Sequence, residues 1–380
     1  MNTPVYLDYN ATTPVDPAVA DAIEPYLREY FGNPSSTHVF GQQAHRAVER
    51  ARQQVAQLIG AEAGEVIFTG CATEANNLAV RGVARALRER GRHIVTSAVE
   101  HPAVEQPFRR LGEDGWAVTV IPVDSHGRVD PAELSAALRD DTVLVSIMHA
   151  NNEVGTVQPI EEISAITRPR GVLLHTDAAQ SVAKIPVDVD DLGVDLLTLA
   201  GHKFYATKGV GALYLRRNTA LSPVLVGAGH EMGLRPGTEN VPAIVGLGEA
   251  ARLASERAPA HAQQMRRLRD RLHELLSQAI PGTLLNGHPE QRLPNTLNLS
   301  FPEVDGRNLL AHAAAEVAAS VGSACHEDDT TVSGVLGAMG IDTQRARGAV
   351  RLSLGIATTD TEIERAATAL IAAWCTLTNS

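Results

Sequence analysis

The run Leu196-Leu197-Thr198-Leu199-Ala200-Gly201-His202-Lys203-Phe204 passes from an apolar, β-forming stretch straight into a glycine and two basic side chains. It reads as a buried strand ending in a tight turn, with a lysine delivered just past the strand's carboxyl end. The same pattern recurs on both sides of it. Strands are expected at 66–69, 93–97, 118–123, 143–148, 172–177, 196–199 and 212–215. Helices are expected between them at 74–90, 102–111, 131–138 and 160–167, several opening on proline or acidic residues. Such alternation predicts an α/β fold with a mostly parallel sheet covered by helices. A long Ala- and Arg-rich segment, 241–278, has helical periodicity and should bridge to a smaller α+β part with strands near 297–301 and 350–354. Helices at 17–29 and 41–58 precede the sheet, and the N-terminal arm is expected to pack on the C-terminal part or across a dimer interface.

A chain of 380 residues, 44% of them hydrophobic, can build a large core and about two domains. We expect a large domain over 15–255 and a smaller one made of 1–14 and 256–380. The formal net charge of -11 gives no general electrostatic reason to sit on nucleic acid or an anionic membrane, so no direct nucleic-acid contact is expected. Cys71, Cys325 and Cys375 are odd in number and far apart, which suits free thiols in a reducing compartment better than a disulfide framework. The N-terminus lacks a basic region followed by an apolar one, and no apolar run is long enough to span a bilayer. A cytoplasmic protein without membrane attachment is expected.

Ligands of open α/β sheets bind beyond the carboxyl ends of the strands, so polar residues just past each strand are the candidates. After 66–69 comes Gly70-Cys71-Ala72-Thr73-Glu74, where small residues and a hydroxyl open a helix whose free N–H groups can take a phosphate. Glu100-His101-Pro102, Asn151-Asn152-Glu153 and Asp177-Ala178-Ala179-Gln180 follow three further strands. Taken singly, each is an ordinary helix cap or satisfied strand end, and Thr73 alone is more often a cap than a ligand. Lys203 changes the balance, because a desolvated lysine can attack an aldehyde. Pyridoxal phosphate (PLP) needs a lysine for its aldehyde, a carboxylate for its ring nitrogen, a flat group over the ring and a phosphate site at a helix start. Lys203, Asp177, His101 and Thr73 supply these in turn. No metal site is called for.

With these residues in view, the chain resembles the cysteine desulfurases of the NifS and IscS kind, in the class V aminotransferase group with the fold-type I architecture of PLP-dependent transferases. The resemblance runs almost end to end. It is carried by Leu7-Asp8-Tyr9-Asn10-Ala11-Thr12-Thr13-Pro14, Gly32-Asn33-Pro34-Ser35-Ser36, Ala72-Thr73-Glu74, Glu100-His101, Asn151-Asn152-Glu153-Val154-Gly155, His175-Thr176-Asp177-Ala178-Ala179-Gln180-Ser181 and Gly201-His202-Lys203. Arg235-Pro236-Gly237-Thr238, Ser323-Ala324-Cys325 and Arg351-Leu352-Ser353-Leu354-Gly355 extend it.

The resemblance implies a Schiff base on Lys203, Asp177 at the ring nitrogen, His101 on the ring face and Gln180 at the phenolic oxygen. Ala72, Thr73, His202 and a partner's Thr238 would hold the phosphate, which implies a homodimer. Asn152 and Arg351 would orient L-cysteine, and Cys325 would take its sulfur as a persulfide, with His101 and Lys203 moving protons. The sulfur would pass to an acceptor protein for iron–sulfur assembly, tRNA thiolation or DNA phosphorothioation.

Three departures from the family pattern stand out. Gly70-Cys71 replaces Ser-Gly in the phosphate turn, Ala200 replaces a phosphate-binding serine, and the acidic run His326-Glu327-Asp328-Asp329 follows Cys325. Nearby carboxylates raise a thiol's pKa and weaken its nucleophilicity. The turn and the acidic run point toward the DNA phosphorothioation branch, that of DndA. A selenocysteine lyase or an aminotransferase of the same architecture is the nearest alternative. An aminotransferase needs no acceptor thiol, and for Cys325 by itself the plain reading is a small buried apolar residue.

Overall fold

The computed structural model describes residues 3–322 and 333–379. After β1 (Val5–Tyr6), the strands β2 (Val66–Thr69), β3 (His93–Ser97), β4 (Ala117–Ile121), β5 (Thr142–Ser146), β6 (Leu173–Asp177), β7 (Leu196–Ala200) and β8 (Gly211–Leu215) form one sheet in the order β2-β8-β7-β6-β5-β3-β4. Pairings among β3 to β7 are parallel, whereas β8 is antiparallel to both β7 and β2. Every residue of β2, β3, β5 and β7 is buried. That accounts for the near-continuous apolar runs in the sequence, since a sheet covered on both faces has no reason to alternate polar with apolar.

The pleat sends neighbouring side chains to opposite faces. Phe68, Val95, Val145, Leu197 and Ala212 join a core with Val19, Val48, Val55, Leu247 and Ala251. Their sequence neighbours Ile67, Ile94, Leu144, Leu196 and Leu213 join a separate core with Leu78, Val83, Val104 and Phe108. Truncating one such side chain to alanine typically costs about 2–5 kcal/mol, so both faces hold the sheet's register strongly.

Beyond the large sheet come β9 (Leu284–Asn286), β10 (Thr296–Ser300), β11 (Val317–Ala318) and β12 (Ala349–Ser353). β10 pairs antiparallel with β9 and β12, and β1 pairs parallel with β11. The helix Val241–Ala279 ties the two sheet systems together. Its first part buries Val241, Ile244, Leu247 and Ala251 in one core, and Leu268, Leu272 and Leu276 enter another with Leu297, Leu352 and Leu370.

Two expectations change. The helices Pro17–Arg28 and Val39–Leu58 pack against the first part of the long helix, burying Val19, Ile23, Ala44 and Val48 in the large-sheet core. Only the residues before them, Val5 and Leu7, reach the C-terminal core. The apolar face of each helix decides this, because it must be buried against another element. The helix after β2 starts at Ala72 rather than 74, since Cys71 already takes the extended N-cap conformation. The helices Gly306–Ala313 and Asp360–Thr378, with the short β1, β9 and β11, were not expected from the sequence. Among the described residues, no helix is long and apolar enough to cross a membrane.

Candidate active site at the strand ends

Parallel strands present their carboxyl ends on one side, and the loops after β2, β3, β5, β6 and β7 converge there. A cavity of about 380 Å³ opens at that edge, lined by Ala72, Thr73, His101, Asn152, Asp177, Gln180, His202, Lys203 and Arg351 among others. Nine residues expected from the sequence thus share one space. Thr238 is exposed and does not line this cavity. Cys325 and the acidic run after it lie outside the described residues.

Lys203 ends a short 3-10 turn, Gly201–Lys203, directly after β7. Its Nζ donates to the carbonyls of Asn10 at 2.6 Å and Ala11 at 2.9 Å. Burial and then the Arg351 cation lower its pKa to about 8, against the opposing pull of Asp177 and Asp8. A neutral amine is therefore accessible near physiological pH, which a nucleophile toward an aldehyde requires.

Asp177 closes β6. Its carboxylate accepts from Asn76 Nδ2 at 2.6 Å and from the Ala179 amide at 2.9 Å, so a buried charge is held by two hydrogen bonds and keeps acceptor capacity for a cationic partner. His101 is the N-cap of the helix Pro102–Glu113, and its Nδ1 accepts from Ala103 N at 3.0 Å, which fixes the ring. Burial lowers its pKa, with Lys203 adding to the effect and Asp177 opposing it. His202 is pushed to about 4, chiefly by burial and then by Lys203, and is a neutral imidazole. Behind His101, the fully buried Glu100 accepts from Ser97 Oγ and Met148 N, and burial pushes its pKa up to about 8.

The turn before the helix Ala72–Leu87 rests on β8. A Cβ on Gly211 would lie 2.9 Å from Cys71 C and 3.0 Å from Ala72 N, so only glycine lets the turn come down this far. No side chain caps the helix start at Cys71, which leaves the first-turn N–H groups to a ligand or water. Arg351 on β12 faces the same space. It donates from Nη2 to Asp8 Oδ1 at 2.7 Å and from Nη1 to Asn152 O at 3.0 Å, while its buried Nε has no hydrogen-bond partner among the described residues. A guanidinium only partly satisfied inside a cavity is suited to an incoming carboxylate.

This set fits PLP: a depressed lysine, a buried carboxylate, a fixed imidazole, an uncapped helix start and an under-satisfied arginine. Several contributors escaped the sequence reading. Asn10 bridges distant parts through Gln180, Lys184, Asn295, Thr296 and Ser353, while Asn76 supports Asp177 and Asp8 pairs with Arg351. Only Asn76 carried a local signal, lying one helical turn after Thr73.

The family model described as aminotransferase class V matches residues 5–366. A protein named cysteine desulfurase IscS from Dictyoglomus turgidum is 47% identical over 364 residues, covering 96% of this chain and 92% of that one. A solved structure titled NifS-like protein superposes with a TM-score of 0.92 and 38% identity, covering 97% of this chain and 99% of that chain. The structure of DndA from Streptomyces lividans gives a TM-score of 0.79 at 38% identity, covering 93% and 99%. The chain therefore belongs to the cysteine desulfurases of the class V aminotransferase family, PLP-dependent enzymes of fold type I.

Proposed function

We propose that this enzyme converts L-cysteine to L-alanine and leaves the sulfur as a persulfide on Cys325 for delivery to an acceptor protein. The observation that carries the reading is the meeting of Lys203, Asp177, His101 and Arg351 at one cavity. Lys203 would hold PLP covalently, with Asp177 at its ring nitrogen, His101 on its ring face and Gln180 at its phenolic oxygen. Ala72, Thr73 and His202 take the phosphate together with Thr238 of a second subunit, which is consistent with Thr238 being exposed on its own chain. The division into 15–255 and 1–14 with 256–380 is supported by the separate cores on the long helix.

PLP supplies an electron sink for negative charge at the substrate α-carbon. Arg351 receives the substrate carboxylate, and Asn152 orients the bound amino acid beside it. The Lys203 amine would move the α-proton, and His101, whose neutral form burial favours, would serve the protons at the substrate thiol. The Cys325 thiolate attacks the substrate sulfur: the carbon–sulfur bond breaks, a sulfur–sulfur bond forms, and the β-carbon takes up a proton. One L-cysteine and one thiol thus give one L-alanine and one persulfide, with no outside oxidant.

Incubating the full-length holoenzyme with L-cysteine and measuring alanine, protein-bound persulfide and pyruvate tests this. Equal alanine and persulfide, the latter located at Cys325 by peptide mass, is the expected result, and pyruvate as the main product overturns it. The same enzyme with Arg351→Lys keeps a charge but loses the planar fork. A hydrogen bond to a charged group contributes about 1.5–3 kcal/mol, so kcat/KM for L-cysteine should fall roughly 10- to 150-fold, mainly through KM.

For the destination of the sulfur, DNA phosphorothioation is supported by the Gly70-Cys71 turn, the acidic run after Cys325 and the similarity to DndA. Iron–sulfur assembly or tRNA thiolation is supported by the relatives named IscS. Capturing the proteins that accept persulfide sulfur from the enzyme in its own cell extract, and identifying them, decides between these routes.

A further inference from the structure

Lys184 lies in the loop after β6, fully buried, and takes no part in the chemistry assigned above. Its Nζ donates to Gln180 Oε1 at 2.9 Å and lies 3.4 Å from Asn10 Oδ1. On the other side of the same two residues, Lys203 Nζ donates to Asn10 O at 2.6 Å and Gln180 Nε2 donates to Asn10 O at 3.0 Å. Asn10 is thus gripped from both sides, with one buried amine behind it and the cofactor-bearing amine in front.

We infer that Lys184 is a positioning residue, which pins Gln180 and Asn10 from behind and presents a positive charge to Lys203 across them. The inference rests on the reading of Lys203 and Gln180 as cofactor ligands. An ammonium is a donor only, so the Gln180 atom facing Lys184 must be its oxygen. Its amide nitrogen is thereby turned toward Asn10 O and the cavity, where it can donate to an anionic oxygen of the cofactor.

The electrostatic part follows from the same arrangement. The charged groups acting on Lys184 are both cations, Lys203 on the turn after β7 and Arg351 on β12, and with burial they bring its pKa to about 7. Lys203 is faced in addition by Asp177 and Asp8, which oppose the shift, and Lys184 also bears on His202. Two like-charged amines on either side of one residue disfavour double protonation, so a proton on Lys184 favours the unprotonated form of Lys203.

The test is a pH titration of the visible cofactor band in the full-length holoenzyme. Lys184→Met keeps most of the volume and removes both donor and charge. Below pH 7, where Lys184 carries its proton, the unprotonated fraction of the band should fall roughly three- to tenfold, which moves the acid side of the titration upward. Lys184→Gln keeps a donor for Gln180 and removes only the charge, so it should show the same upward shift. A titration curve for Lys184→Met that superimposes on the wild type overturns the inference, even where melting temperature falls.

Should neither variant fold, coupling is read from the opposite partner. Coupling between two sites is reciprocal, so in Lys203→Ala the Lys184 amine, followed by carbon-13 lysine spectra, should titrate higher by a similar amount. An unmoved Lys184 resonance then overturns it. Lys203→Ala also isolates the underlying reading: if borohydride still fixes cofactor to that variant, Lys203 is not the attachment point, whatever Lys184 does.

Discussion

Lys203→Ala is expected to lose covalent attachment of PLP and to drop turnover of L-cysteine to background, a fall on the order of 10⁴ or more. Proton transfer by a placed side chain alone contributes roughly 10²- to 10⁴-fold, and the covalent role is lost with it. Lys203→Arg should fail equally, because a guanidinium keeps the charge but stays protonated and cannot attack the aldehyde. The fold should survive, since Asn10 O keeps its bond from Gln180 Nε2. Stability gives an independent check. The folded-state pKa of about 8 lies below the ordinary lysine value of 10.5, so between those values the unfolded chain binds more protons. Lys203 therefore lowers stability at neutral pH, and that cost fades as pH rises toward 10.5. With both proteins compared free of cofactor, Lys203→Ala should melt no lower than the wild type at pH 7, with its relative advantage shrinking at alkaline pH. A variant that melts well below the wild type at pH 7 would mean that the amine holds the fold together, contrary to its placement at a cavity edge.

The contrast between Lys203 and Lys184 shows what a sequence displays of such a site. Lys203 was legible because it follows an apolar strand whose end faces the ligand side of a parallel sheet. The same logic picked out Asp177, His101 and Asn152. Each is placed by its own strand, so the local pattern also places the residue. Lys184 follows no strand end directly and reads as one more loop lysine in Ser181-Val182-Ala183-Lys184. Its burial depends on Asn10, which is distant in sequence, and on β12 behind it. Asp8 with Arg351 was hidden for the same reason, because a hydrogen bond between distant segments leaves no spacing to read. The strands β2, β3, β5 and β7 were visible because full burial on both faces demands continuous β-forming runs. The two-residue β1 and β11 were not, being too short to show a period.

Electrostatics at the cavity follow from burial more than from composition. The chain is acidic overall, yet the charges acting on Lys203 include the Arg351 cation as well as Asp177 and Asp8. His101, His202 and the fully buried His175 are all shifted downward by burial, so the neutral imidazole is favoured at each and adds no positive charge to the cavity. Asp177 therefore stays the charge partner available to a ring nitrogen, and Arg351 the cation available to a substrate carboxylate.

Cys325→Ser is expected to end persulfide formation and sulfide release while leaving the visible cofactor band and L-cysteine binding in place. Sulfur transfer needs a thiolate that forms a sulfur–sulfur bond. A serine hydroxyl stays protonated near neutrality and has no sulfur to carry the product. The residues proposed to bind cofactor and substrate, Lys203, Asp177, His101 and Arg351, are untouched by the substitution, so the variant should bind and stall rather than unfold. The strongest competitor for the role is Cys71, which is exposed and lines the cavity beside Thr73. Cys71→Ser provides the matched control, and it should retain persulfide formation at Cys325. The reverse outcome, persulfide persisting in Cys325→Ser and vanishing in Cys71→Ser, would move the sulfur acceptor to the phosphate turn. It would also make the acidic run after Cys325 irrelevant to thiolate reactivity.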